Sequence, residues 1–342
     1  HPMKAIAAAF CAIAVATMAA PAGAADPAWM TPSILGAAKA EGAVTIYSAI
    51  NESEALPMWK LFEEATGIKV NYVRGSDASL NGRIAVEHRA QQSAWDLTIT
   101  TAVSNLNPET LKAFDPPEAV NLIEPARDRN RKWYGVAANY NTPAYNTKLI
   151  PDPAALPKSY EALAKAREWR GRVAIDTNDA KWLAGMFRHF GEDKGRKLML
   201  EMVETLRPTI IDGHLAVARA VGAGEYAIAI NNYNPLTHNV QMGGAPTDTF
   251  TLDPVVLFMH QIGMSAMAPH PNAALLAANF AISREAQAYG ATFGRTPVRN
   301  DVQPNPPDSV SRLAGRAIVP VTFGPEDERK WKRTYDEIFR PR

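Results

Sequence analysis

The chain has 342 residues, 36 Lys and Arg against 35 Asp and Glu, and one cysteine, Cys11. Balanced charge argues against a nucleic-acid partner, which would need a basic face, and no polybasic run marks a membrane-surface patch. A single cysteine excludes an internal disulfide framework and a cysteine-built zinc site, and the length is enough for two domains that bury their own cores.

His1-Pro2 reads as a scar ahead of Met3. Lys4 supplies a positive start, Ala5 to Ala20 is apolar, Pro21 ends the run, and Ala22-Gly23-Ala24 fits a small-residue cleavage site. Residues 1–24 are therefore expected to be a signal peptide. The run is shorter and less apolar than the ~20 residues a membrane span needs. Cys11 sits too early for lipid attachment beside the cleavage point. The expected product is a periplasmic chain without cysteine that starts near Ala25.

Short β-rich runs then alternate with amphipathic stretches, the pattern of an α/β fold. Val44 to Ser48 reads as a buried strand. A helix with Leu56, Trp59 and Phe62 on one side follows, capped by Ser53 and stopped by Gly67. Ile68 to Val73 and Trp95 to Thr100 read as further strands, with a helix through Leu80 and Ile84 between them. Asn107-Pro108-Glu109 has the cap, proline and acid of a helix start. A second set begins with a helix over 159–169, followed by a strand at Val173–Asp176 and a helix over Lys181–Phe190. It continues with a strand at Thr209–Ile211, a short helix over His214–Val221 and a strand at Tyr226–Ile230 that leads to Asn231-Asn232-Tyr233. Two extended runs, 133–149 and 249–267, connect the sets. Two α/β units with two connections predict a hinged pair of lobes, 43–137 with 254–342 and 138–253. Ligands of open α/β sheets sit beyond the carboxyl ends of the strands, so two facing rims would enclose one cleft.

Several segments, in order, carry a resemblance. Val44-Thr45-Ile46-Tyr47-Ser48-Ala49 followed by Phe62-Glu63-Glu64-Ala65-Thr66-Gly67-Ile68-Lys69-Val70 resembles the opening of the family 1 extracellular solute-binding proteins. Tyr145-Asn146-Thr147 is similar to their crossover. Ala223-Gly224-Glu225-Tyr226 with Asn231-Asn232-Tyr233 is similar to the segment before their cleft tyrosines, and 270–287 to their return helices. The resemblance implies a type-2 periplasmic-binding fold with a hinged central cleft, a small solute as ligand, and docking on the membrane permease of an ABC importer. No cofactor, no catalysis and a monomer are expected.

The nearest named branch is the ferric-ion-binding proteins, which hold Fe(III) with a His, a Glu and two consecutive tyrosines. Anionic oxygen donors suit so hard an ion. Here Asn51 stands where the His is expected, Thr101 where the Glu is, and Asn234 follows Tyr233. One ligand of four remains, so Tyr233 is a metal ligand only if the solute is ferric iron. A small polar or anionic solute fits the remaining Asn, Ser and Thr better.

The candidate ligand-binding residues are Tyr233, Ser48, Asn51, Glu52, Thr101, Tyr140, Asp176 and Asn231. Ser48, Asn51 and Glu52 lie at a strand-to-helix turn, where open amides favour an anion. Glu52 would oppose an anion or pair with an ammonium. The same residues also suit an ordinary cap. Asp176 ends a second-lobe strand and Tyr140 lies on the crossover. Catalytic motifs are lacking: no Gly-x-Ser-x-Gly, no His-Glu-x-x-His and no phosphate-loop lysine. Gly222-Ala223-Gly224 precedes a strand, the wrong order for a dinucleotide turn. His88, His189, His214, His238, His260 and His270 show no metal-ligand spacing. An exported hydrolase and a ligand-sensing partner of a membrane receptor stay open as other readings.

Overall fold

The structure, a computed structural model, describes residues 25–340; the expected signal segment lies outside the described residues. In the first half α1 (Pro32–Glu41) leads to β1 (Ala43–Ser48), α2 (Glu52–Thr66), β2 (Lys69–Arg74), α3 (Asp77–Arg89) and β3 (Leu97–Thr100). A two-residue β4 (Leu111–Lys112) precedes the long β5 (Trp133–Asn146), which leaves this half. The second half contains α4 (Tyr160–Ala164), β6 (Val173–Asp176), α5 (Ala180–Phe190), α6 (Glu192–Leu206) and β7 (Thr209–Ile211). It goes on through α7 (His214–Gly222), β8 (Ile228–Tyr233), α8 (Asn234–Met242) and β9 (Thr247–Thr249). The return strand β10 (Val255–Ser265) leads to α9 (Pro271–Ala281) and α10 (Arg284–Thr292), and β11 (Ile318–Pro320) and α11 (Asp327–Phe339) close the chain.

The strands form one path, β2-β1-β3-β10-β5-β8-β6-β7, with β4 and β11 on β10 and β9 on β5. β1 runs parallel to β2 and β3, and β6 parallel to β7 and β8. β5 and β10 pair antiparallel from Asn141↔Val256 to Trp133↔Gly263. Among the described residues these two strands are the only sheet connection between two parallel units, each with its own core. The first core packs Trp59, Phe62 and Phe280 beside Ile46 and Leu97; the second packs Trp182, Met199 and Ile228. Each large side chain so buried stabilises its lobe by roughly 1.5–3 kcal/mol. The result is the expected two-lobed α/β architecture.

Local details differ from the sequence reading. α2 begins at Glu52 with Asn51 in the cap position, so Ser53 lies inside the helix. Trp59 and Phe62 are buried, but Leu56 remains 46% exposed. Gly67 does stop α2, at φ 74°, a conformation that costs a residue with a Cβ. Asn107-Pro108-Glu109 makes only a 3₁₀ turn, with Asn107 Oδ1 accepting from the Glu109 amide at 3.0 Å. The expected lobe boundaries also shift. Trp29 and Ala38, ahead of residue 43, join the first core. Phe323, Tyr335, Ile338 and Phe339, expected with the first lobe, pack in the second core. The cause is the apolar stripe of α11, which returns past β10 to lie on α5 and α6.

α5 itself lies close to β10. A Cβ on Gly185 would stand 2.5 Å from Val256 Cγ2, so glycine permits this approach. That contact fixes the start of α5, with Lys181, at the junction of the lobes.

Candidate functional site

The start of α3, the turn after β3, the exits of β6, β7 and β8, and one side of α11 meet around a cleft of about 650 Å³. Tyr233, the last residue of β8, lines it, together with Thr101 and Asp176. Asn231 and Asn232 point to opposite faces of β8, and both are fully buried. Asn231 stands behind the wall, where its Nδ2 donates to Asp179 Oδ2 at 3.2 Å.

The other four candidates do not line this cleft. Ser48 is buried and its Oγ accepts from the Ile50 amide at 3.1 Å. Asn51 and Glu52 are exposed at the head of α2, and the Asn51 side chain makes no cap bond. Tyr140 packs partly buried on the first core. The loop before α2 is tied down by the Tyr72 hydroxyl, which donates to the Ile50 carbonyl at 2.5 Å. It is the start of α3, one unit further along the sheet, that faces the second lobe.

Residues that sequence reasoning passed over complete the walls: Asp77, Asn81, Asn105, Asp179, Lys181, His214, Phe258 and Glu328. In the sequence His214 marks only the start of a short helix. In the fold its Nε2 donates to Asp179 Oδ1 at 2.6 Å and lies 3.6 Å from Asp176 Oδ1. Asp176, Asp179 and His214 are the one such metal-capable grouping among the described residues, with ligand atoms within 4.8 Å of each other. Asp176 and Asp179 are near neighbours in sequence, whereas His214 comes from a different crossover.

Charged side chains in the cleft are held by one another and by backbone groups. Burial pushes the His214 imidazole down, but the charge and hydrogen bond of Asp179, with Asp176 behind, outweigh it and the pKa rises. Asp176 binds the amides of Asn178 and Gly213, each at 2.8 Å, yet burial still raises its pKa. Lys181 reaches across to donate to the Thr101 carbonyl at 2.7 Å and stands 4.9 Å from the Phe258 ring centroid. Burial lowers its pKa, opposed by Glu328 and Asp77. Burial first, then Asp179 and Asp176, pushes the Tyr233 phenol well above its ordinary range. It is a neutral hydroxyl, and it makes no hydrogen bond with the described residues.

Two helices begin on the second-lobe wall. The first-turn amides of α7 and those of Lys181 and Trp182 in α5 have no partner among the described residues, and neither helix has an acid in its first turn. Such amides, with the helix dipole behind them, attract negative charge. Asn234, by contrast, is buried at the start of α8, where it accepts from the Thr142 hydroxyl, so its side chain is engaged away from the cleft.

Comparisons with known proteins agree with this architecture. A Salmonella paratyphi A protein provisionally named 2-aminoethylphosphonate-binding and periplasmic is 24% identical over 321 residues, 87% of this chain and 89% of the relative. Its Salmonella typhimurium counterpart is 24% identical over 332 residues, with the same coverage. The fold matches the ferric binding protein of Campylobacter jejuni (TM-score 0.70, 22% identity, 86% of this chain and 98% of that one). It also matches iron-bound HitA of Pseudomonas aeruginosa (TM-score 0.70, 21% identity, 86% and 99%). A third match is the substrate-binding protein of an ABC transporter from Agrobacterium tumefaciens (TM-score 0.70, 15% identity, 87% and 95%). All of these are named as binding proteins, and no helix among the described residues is long and apolar enough to cross a membrane. Residues 58–316 match the family described as bacterial extracellular solute-binding protein, and with three quarters of its length inside that match this chain belongs to the family.

Proposed function

We propose that the chain is the periplasmic capture component of an ABC importer, that it closes on a small polar oxyanion, and that it delivers this solute to a membrane permease. The observation that carries the oxyanion reading is the second-lobe wall. Open amides of α5 and α7, the Lys181 ammonium and the neutral Tyr233 hydroxyl are all donors on one surface. Asp176 and Asp179 do not cancel them, because each is already matched by His214 or by backbone amides. The relatives named for 2-aminoethylphosphonate favour a phosphonate-like group. Ferric iron is the weaker reading. Tyr233 alone remains of the four-ligand set, and Asn51 and Asn234 do not reach the cleft.

Binding here means capture, with Tyr233 as a direct contact, Thr101 and Asp176 as wall residues whose polar groups are held by Asp77, Lys181, His214 and backbone amides, and Asn231 as a support for Asp179. The crossing pair β5 and β10 supplies the hinge, which needs only a few backbone angles to change. Export through a cleaved leader ending near Ala24 accompanies this role, and N-terminal sequencing of periplasmic protein checks it.

A thermal-shift screen across phosphonates, phosphate esters, sulfonates, carboxylates and ferric citrate tests the proposal. A solute at ~100 times its dissociation constant stabilises the folded state by ~2.7 kcal/mol. At least one oxyanion is expected to raise the melting temperature and reduce the radius of gyration in solution scattering. Stabilisation by ferric iron alone, with a visible charge-transfer band, would replace the oxyanion reading.

A further inference from the structure

Two side-chain bonds cross the cleft from one lobe to the other. Lys181 Nζ, in the first turn of α5 on the second lobe, donates to the Thr101 carbonyl of the first lobe at 2.7 Å. Beside it, Asn105 Nδ2 of the first lobe lies 3.5 Å from Glu328 Oε2 at the start of α11, which packs with the second. Both bonds leave the same short turn, 101–105, after β3.

Each end of the lysine bond is held in place. The Thr101 amide donates to Asp77 Oδ2 at 3.3 Å, and its hydroxyl donates to the same oxygen. The Ala102 amide donates to Thr100 Oγ1 at 3.0 Å, and the Ala102 carbonyl accepts from Asn81 at 2.9 Å. The Ser104 amide donates to Gln261 Oε1 at 2.9 Å. The turn is thus a fixed catch that belongs to the first lobe. On the other side, the approach of Gly185 to Val256 sets the start of α5. The lysine ammonium stands 4.9 Å from the Phe258 ring centroid and 5.9 Å from that of Phe323. Two rings beside it restrict its rotamers, so little side-chain entropy is left to lose when the bond forms.

A bond from a charged donor is roughly twice as strong as one between neutral groups. Open and closed arrangements of hinged lobes differ by only a few kcal/mol, so one such bond shifts their populations. The cleft keeps about 650 Å³ with the bond made, within the size range of ligand sites.

We propose that Lys181 is an interlobe latch, whose ammonium, hooked on the Thr101 carbonyl, holds the lobes at partial closure through the protein's own groups. The latch stands on the two-lobed fold; only its release rests on the oxyanion reading above. An anionic oxygen that reaches Lys181 is a stronger acceptor than the neutral carbonyl and takes the ammonium from it. The lysine then limits opening before capture and holds the solute after it.

The experiment is double electron–electron resonance on the mature protein, spin-labelled at Val86→Cys on α3 and Lys197→Cys on α6, both exposed. The protein is refolded from guanidinium chloride so that no captured solute holds the lobes. With Lys181 present, one short interlobe distance is expected to dominate. Lys181→Met should move the ratio of short to long distances about tenfold toward the long, the effect of losing a charge-assisted bond. Lys181→Gln, too short to reach Thr101, gives the same readout if the first variant folds poorly. Identical distance distributions with and without the lysine, in protein whose circular dichroism is native, overturn the latch and leave the oxyanion reading standing.

Discussion

The His214 imidazole lies nearly flat on the Tyr233 ring, with centroids 3.7 Å apart and planes 19° apart. Phe258 closes the other side edge-on, 5.0 Å from the same ring. Tyr233 is therefore gripped on two sides, and its hydroxyl direction is set by packing, with no hydrogen bond needed to hold it. A protonated imidazole over an aromatic face adds cation–π attraction, larger where water is excluded. His214 thus acts twice, as the counter-ion of Asp179 and as the platform for Tyr233.

Tyr233→Phe should leave that stack intact and remove only the hydroxyl. Affinity for the solute is expected to fall by about 0.5–1.5 kcal/mol, or up to ~3 kcal/mol if the hydroxyl meets a charged oxygen. Calorimetry on the two proteins gives the difference. Tight ferric binding with a visible band that vanishes in the variant would contradict the assignment of Tyr233 as a neutral donor.

Lys181→Met should weaken oxyanion binding by about 1.5–3 kcal/mol, the loss of a charge-assisted bond, with little effect on overall folding. The side chain is half-buried and its one protein bond is to a carbonyl of the other lobe, so the open form loses little. An unchanged dissociation constant for every oxyanion would remove Lys181 from the recognition wall.

Stability should depend on pH through His214. Its pKa is raised in the fold, so the stabilisation is fully present below the unfolded value of ~6.5 and is lost as pH rises through the folded value. The melting temperature of the wild type should therefore fall more than that of His214→Gln on passing from about pH 6 to about pH 9. Parallel curves for the two proteins would show that the Asp179 pair contributes nothing to folding.

The same substitution should have opposite signs in two helices. Gly185→Ala puts a methyl into Val256 and is expected to cost about 1–3 kcal/mol by overpacking. Gly36→Ala, exposed within α1 with nothing near its Cβ position, should add about 0.4–1 kcal/mol by restricting the unfolded chain. Denaturant unfolding of both variants checks the pair, and equal shifts would show that the α5–β10 approach is looser than described.

The sequence by itself determined the elements and their class. Strands Val173–Asp176 and Thr209–Ile211 fall where alternation and punctuation put them, and Gly67 and Gly191 end their helices, because these signals are local. The two crossing runs were also visible, since long extended segments between α/β units have few other uses. Tyr233 could be singled out because it matches the first cleft tyrosine of the family the sequence resembles, at the end of a predicted strand.

What only the tertiary structure decided is which rim faces which. Asn51 and Asp77 both follow first-lobe strands and look alike in sequence, yet Asn51 is exposed outside the cleft and Asp77 lines it. The choice depends on the crossing of β5 and β10, which sets the second lobe over α3 and not over α2. α11 lies more than a hundred residues beyond α7, and only its apolar packing on α5 and α6 brings Glu328 to the site. His214 and Asp179 are 35 residues apart and meet through the parallel pairing of β6 and β7. Such contacts arise from the order of strands in a sheet, a non-local property that no window of residues carries.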